Sequence, residues 1–124
     1  MATMKNGVNL DNIENLVGAI HENPKVANVQ FKAKSKWLGS TQSEVEIHEL
    51  HSDGNNIREG GSKFTLRVDE PGVLGGADEY PNPVEYLASA LCGCLTAGIA
   101  TNAALFDTDL EKIEVEVDVN FDVH

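Results

Sequence analysis

A chain of 124 residues has the length of one domain with a single modest core, and 41% hydrophobic against 23% charged residues is an ordinary globular balance. That composition excludes disordered, collagen-like and disulfide-scaffold classes. The net charge of −11 gives a field that repels phosphate backbones and anionic headgroups, so neither nucleic acid nor a membrane is expected as a partner.

The elements follow in chain order, within one domain over 1–124. Leu10, Ile13, Leu16, Val17 and Ile20 recur at helical spacing and predict an amphipathic helix over 9–23, capped by Asn9 or Asp11 and stopped by Asn23-Pro24. Sheet is expected over 27–68. From Ala27 to Trp37, Val29, Phe31, Ala33, Ser35 and Trp37 alternate with Gln30, Lys32, Lys34 and Lys36, as in a half-buried strand. Gly39-Ser40 breaks it, Val45 and Ile47 suggest a second strand, Asp53-Gly54-Asn55-Asn56 is a turn, and Lys63 to Val68 is a third strand. Together they predict one antiparallel sheet of three strands. Pro71, Gly72, Gly75, Gly76 and Pro81 make 69–82 an ordered loop before a helix over 83–105. Beyond the turn Phe106-Asp107-Thr108-Asp109, Val115, Val117, Val119, Phe121 and Val123 alternate with polar residues, predicting a strand over 113–123 with a wet acidic face. The acidic residues Asp69-Glu70, Asp78-Glu79 and Glu111 to Asp122 read as solubilising faces. No repeats or linkers interrupt this order.

In the long helix, Asn82-Pro83-Val84-Glu85 supplies an N-cap residue, Pro at the first helical position and Glu at the third, the pattern of a capping box. Leu87, Leu91, Leu95 and Ile99 form an apolar stripe, while Ala90, Gly93, Ala97, Gly98, Ala103 and Ala104 leave room for close approach of another backbone. Tyr86 to Phe106 carries no charge and is long enough to span a bilayer, but its Ala, Gly, Ser, Thr and Asn content and its acidic flanks predict a helix buried in protein instead.

The two cysteines, Cys92 and Cys94, share a helical turn and cannot staple distant segments, which points to reduced thiols and a cytoplasmic setting. Met1-Ala2-Thr3-Met4-Lys5-Asn6 opens without the apolar stretch of a secretory signal. The thiols point ~200° apart around the axis. Cys92 reads as a small buried hydrophobe. A thiol of pKa near ~8.5 is mostly protonated at neutral pH unless a cation is close, and the helix N-terminus lies roughly 17 Å from Cys94. Arg67, at the end of the third strand, is the candidate cation. His48-Glu49-Leu50-His51 with Asp53 could be weighed as a metal site, but residues three apart in a strand face opposite sides, so a solvated edge is the better account. Gly60-Gly61 and Gly75-Gly76 fit no phosphate-loop pattern. No cofactor or metal is expected. Trp37 and Tyr80 read as core or loop packing rather than as a pocket lining.

The run Phe64-Thr65-Leu66-Arg67-Val68-Asp69-Glu70-Pro71, then Leu74-Gly75-Gly76, then Pro81 through Leu95 with its Pro-x-x-x-Leu-x-x-Ala-Leu-x-x-Cys core, resembles the OsmC/Ohr family of organic hydroperoxide reductases. In element order the resemblance covers roughly Ala27 to Val123. It implies an α+β fold in which an antiparallel sheet wraps a buried central helix in an intertwined homodimer, with active sites at the subunit interface. It further implies Cys94 as peroxidatic nucleophile, Arg67 as the cation that holds it as thiolate, a glutamate bracing the arginine, and a second cysteine that resolves the sulfenic acid. The bracing position holds Val84 here. Glu85, one residue later, lies ~180° around the helix from Cys94 and reads foremost as a capping residue. The family's resolving cysteine lies beyond the strand at Val123, which leaves Cys92 or an external thiol for that role. The function so implied is thiol-dependent reduction of organic hydroperoxides in oxidative-stress defence, with a small organic hydroperoxide and a thiol reductant as partners. The alternative is a non-catalytic OsmC-like dimer that binds a small apolar ligand, which Val84 and the missing resolving cysteine favour.

Overall fold

Turn chemistry at Asn6-Gly7 sets the first element: both residues have positive φ, 50° and 80°, as a two-residue hairpin requires. In the computed structural model, which describes residues 3–124, this turn joins β1 (Met4–Lys5) to β2 (Val8–Asn9). Met1 and Ala2, the start of the segment read for a signal, lie outside the described residues. The chain divides into two compact units, one joining the N-terminal residues through Gly18 to Val84–His124, the other formed by Ala19–Pro83.

After the hairpin comes α1 (Leu10–Glu22), whose residues through Gly18 belong to the helical unit, and of the two cap candidates Asn9 takes the role, its Oδ1 accepting from the Asn12 amide at 3.1 Å. The second helix, α2 (Pro83–Leu105), has the expected bounds. It ends in a left-handed Asp107, φ 55°, with the Thr108 amide donating to Ala103 O at 2.7 Å and the Asp107 amide to Ala104 O at 3.2 Å. These are the paired bonds of a Schellman cap, with aspartate where glycine is usual. The hairpin then grips that cap. Lys5 Nζ reaches Asp109 and, at 3.2 Å, Asp107; Asn6 donates to Thr108 O at 2.8 Å and accepts from the Leu110 amide at 3.1 Å. The bond to Asp109, then that to Asp107, raises the Lys5 ammonium above its ordinary value, and the same lysine lowers Asp109.

Two expectations fail in this unit. The helix predicted to be buried is enclosed at Ala104 alone, while Leu87 is 65% exposed and Leu91, Leu95 and Ile99 are 45–47% exposed. The strand predicted over 113–123 is an extended segment without a ladder: Ile113, Val115 and Val117 are half-buried and Glu114, Glu116 and Asp118 exposed, yet no described strand pairs with it. Alternation sets the side-chain faces, whereas a strand also needs a neighbouring backbone.

The sheet unit holds two three-stranded antiparallel sheets rather than one. The first predicted strand is broken at Lys32-Ala33 into β3 (Val29–Phe31) and β4 (Lys34–Gly39), which enter different sheets. β5 (Gln42–Ile47) pairs with β4, while β6 (Leu50–Ser52) pairs with β3 and with β7 (Asn55–Asn56). β8 (Phe64–Val68) completes the order β4-β5-β8. Its register aligns Lys36 with Glu44 and Arg67, and Ser35 with Val45 and Leu66. One face is therefore charged, and the other carries Trp37, Val45, Ile47, Phe64, Leu66 and Val68. Trp37 is not core: it is 75% exposed, its indole donating to Ser40 O at 2.8 Å.

The loop 69–82 is ordered as expected, but for a reason its composition hides. Asp69, read as solubilising, is fully buried. Its Oδ1 accepts from Thr41 Oγ1 at 2.6 Å and the Glu70 amide at 2.7 Å, and its Oδ2 from Gln42 Nε2 and the Glu79 amide, both at 3.2 Å. The Thr41 bond foremost holds its carboxyl far below the usual carboxylate range, against the opposing effect of burial. Inside the loop the Asp78 amide donates to Glu70 O at 3.0 Å and the Gly76 amide to Pro71 O at 3.2 Å. A Cβ at Gly76 would collide with the Glu70 carbonyl and stand 2.7 Å from Thr41 Oγ1.

Gly76→Ala therefore destabilises the chain by about 2 kcal/mol in urea titration, because the opposing atoms include backbone. Asp69→Asn lowers the thermal midpoint by on the order of 5–10 °C at neutral pH, since it removes the charge and turns an amide donor toward donors. A carboxyl lowered in the folded state contributes stability above its unfolded pKa of about 3.9 and loses it as pH falls through the lower folded value. Thermal scans of the two proteins should differ most above about pH 5, and the difference should shrink progressively as pH falls from about 4 toward the lower folded value; a difference that stays constant from about pH 5 down to about pH 2 would contradict this account.

Candidate functional site

Helical geometry decides which thiol is presented. Both cysteines are free, Cys94 exposed and Cys92 half-buried with its Sγ 3.8 Å from Val115 O. Set ~200° apart, the two thiols face different sides of α2. The polar side chains of the helix turn back on it: Ser89 Oγ donates to Glu85 O, Thr96 Oγ1 to Cys92 O and Asn102 Nδ2 to Gly98 O, each at 2.8 Å. The Cys92 carbonyl thus accepts a side-chain bond one turn along. Glu85 is exposed in the first turn, and with Val84 and Ala88 it lines an open groove of about 500 Å³ whose other wall is Val117, Asp118, Val119 and Asn120.

Arg67 belongs to the sheet unit and Cys94 to the helical unit. The arginine is exposed on β8, opposite Glu44 in the ladder, with its Cζ 6.0 Å from the centroid of the Tyr80 ring. Tyr80 lies in the loop closed by Asp69, and the Asp69 amide donates to Pro81 O at 3.2 Å. The segment after β8 thus returns to place an aromatic ring beside the strand's own arginine. Sequence reading missed both Glu44 and Tyr80 as neighbours of Arg67. Counting back from the hairpin at Ser40-Thr41 would set Lys36 opposite Val45; an irregularity between Trp37 and Gly39 shifts the register by one and sets it opposite Glu44. The β5–β8 register that brings in Arg67 spans a long connection and leaves no local signal.

The histidines of 48–51 take different partners. His48 Nδ1 lies 2.9 Å from Ser62 O, whereas His51 Nε2 lies 3.6 Å from Glu49, which also pairs with Lys32 at 3.3 Å. The Lys32 bond first, with help from His51, lowers the Glu49 carboxyl. Among the described residues no three His, Cys, Asp or Glu side chains converge on a point a metal ion could occupy.

Against known proteins, residues 76–124 match the family model described as OsmC-like protein. The match runs from Gly76 through α2 and the extended C-terminal segment, and so takes in both cysteines and Val84. No curated protein matches the chain. The matched helix is long and apolar enough to cross a membrane by length and composition, a property that core helices of soluble proteins share.

Proposed function

We propose, from the match of residues 76–124 to the OsmC-like family model, that the chain is an OsmC-like, cytoplasmic, homodimeric, thiol-dependent reductant of organic hydroperoxides with Cys94 as peroxidatic nucleophile and Arg67 as its cation. One observation carries the choice of nucleophile: Cys94 is exposed on the matched helix, while Cys92 is turned against Val115.

The chemistry asks little of the fold. The Cys94 thiolate attacks the terminal oxygen of R–O–O–H, an S–O bond forms as O–O breaks, and the alkoxide leaves as alcohol after taking a proton. Sulfur loses two electrons and becomes a sulfenic acid. An external thiol then attacks that sulfur and releases water, and a second thiol reduces the mixed disulfide, so Cys92 need not move. Arg67 serves twice. A guanidinium at the thiol favours its ionised form, typically lowering a pKa by ~1–3 units, and it stabilises the charge developing on the departing oxygen.

The exposed stripe Leu87, Leu91, Leu95 and Ile99 supports the homodimer. It is continuous and apolar, and Gly98 on the same side leaves room for a second helix. The second reading, a dimer that binds a small apolar ligand without chemistry, is favoured by one observation: Val84 stands at the start of α2 where the resemblance implies a bracing glutamate.

Incubation with cumene hydroperoxide and a dithiol separates the readings. Peroxide consumption and sulfenic-acid trapping at Cys94 are expected, both falling by about a hundredfold or more in Cys94→Ser. Equal consumption by the variant, or no modification of Cys94, leaves the ligand-binding reading. Leu91→Glu should halve the mass measured by light scattering, since a charge in the centre of an apolar helix pair is not accommodated; an unchanged mass would exclude the α2 stripe as the dimer contact.

A further inference from the structure

Asn6-Gly7 is the only asparagine followed by glycine in the sequence, and the turn asks for that pair, since both residues have positive φ, 50° and 80°. The pair is also chemically labile. No side chain shields the Gly7 amide nitrogen, which can therefore attack the side-chain carbonyl carbon of Asn6. A C–N bond forms, the side-chain nitrogen leaves as ammonia with the Gly7 amide proton, and a succinimide ring closes; water then opens the ring to aspartate or isoaspartate. No oxidation or further reagent is involved, and both residues are exposed to water.

Asn6 ties the hairpin to the end of α2 with both ends of its amide: Nδ2 donates to Thr108 O at 2.8 Å and Oδ1 accepts from the Leu110 amide at 3.1 Å. A carboxylate keeps only the second bond. It has no proton for Thr108 O, which it then faces as a second acceptor, and it adds negative charge where Asp107 and Asp109 already share Lys5. Isoaspartate further lengthens the main chain inside a two-residue turn. Beyond Leu110 the chain runs to Val115, whose carbonyl oxygen lies 3.8 Å from Cys92 Sγ, so the segment anchored by Asn6 covers the half-buried thiol. We propose that Asn6 is a deamidation site whose conversion unlatches residues 108–115 from the hairpin and bares Cys92. While the latch is closed, the Asn6 side chain is held by both of its polar atoms and is not free to turn toward Gly7. Opening therefore speeds modification, and modification keeps the latch open. The proposal stands apart from any role of Cys94.

The test begins with the full chain incubated in mildly alkaline buffer and digested for mass spectrometry, with isoaspartate detected by enzymatic methylation. The amide-to-acid mass change is expected at Asn6 ahead of every other asparagine. Lys5→Ala, which weakens the latch and leaves the Asn-Gly pair intact, deamidates roughly three- to tenfold faster at Asn6. Asn6→Asp reproduces the product. With Cys94→Ser in both proteins and circular dichroism confirming the fold, iodoacetamide labels Cys92 roughly threefold faster or more in Asn6→Asp than in the parent, and the Leu110 amide exchanges faster. If Asn6 stays an amide even in Lys5→Ala, it is not a deamidation site. Equal rates in Lys5→Ala and the parent mean that the latch does not guard Asn6, and unchanged Cys92 labelling in Asn6→Asp means that it does not hold the segment over the thiol; either result overturns the proposal. Should Asn6→Asp fail to fold, the deamidated protein separated by ion exchange from the incubated parent gives the same comparison.

Discussion

The buried carboxylate of Asp69 is the constraint on which the sheet unit turns. An ionised carboxylate removed from water is costly unless its oxygens are filled by donors. Four are provided, from three places in the chain: Thr41 and Gln42 at the start of β5, Glu70 next door, and Glu79 near the end of the loop. Satisfying one residue thus ties the β4–β5 hairpin to both ends of a proline- and glycine-rich segment that could not hold a shape through burial of its own side chains. The clearance at Gly76 belongs to the same arrangement, because the loop passes too close to Thr41 and the Glu70 carbonyl for any side chain. Tyr80 follows Glu79, so the ring that faces Arg67 is placed one residue from an anchored amide.

What the sequence disclosed and what it concealed divide by the range of the signal. Helix ends were legible because their causes are local: Asn9 caps α1, Pro83 starts α2, and the bounds agree with the expected spans within a residue. Overall α+β class was legible for the same reason. The split between β3 and β4 was not, since Lys32 and Ala33 continue the alternation unbroken and only the partners differ. Asp69 was misread because an acidic pair before Pro-Gly has the composition of a solvated turn, and its donors lie 27 and 28 positions away in Gln42 and Thr41. Of the candidate residues, Cys94 lies on α2 and Arg67 on β8, the elements expected to carry them, while the register that sets Glu44 opposite Arg67 was hidden, because period-two reading of a single strand does not name a cross-strand neighbour.

The helical unit presents the complementary case, in which the periodicity is as expected but the burial and the strand it predicted are not found among the described residues. Along α2 the leucines recur every fourth residue, yet they remain about half exposed. Along the extended C-terminal segment, side chains alternate between half-buried and exposed with no ladder beside them. Each is an unfinished surface of a known kind: an apolar stripe lacks a facing stripe, and a strand edge lacks a neighbouring backbone. Periodicity thus set which residues share a face of α2, but burial of that face needs an opposing surface, and the alternation of a single segment cannot supply one.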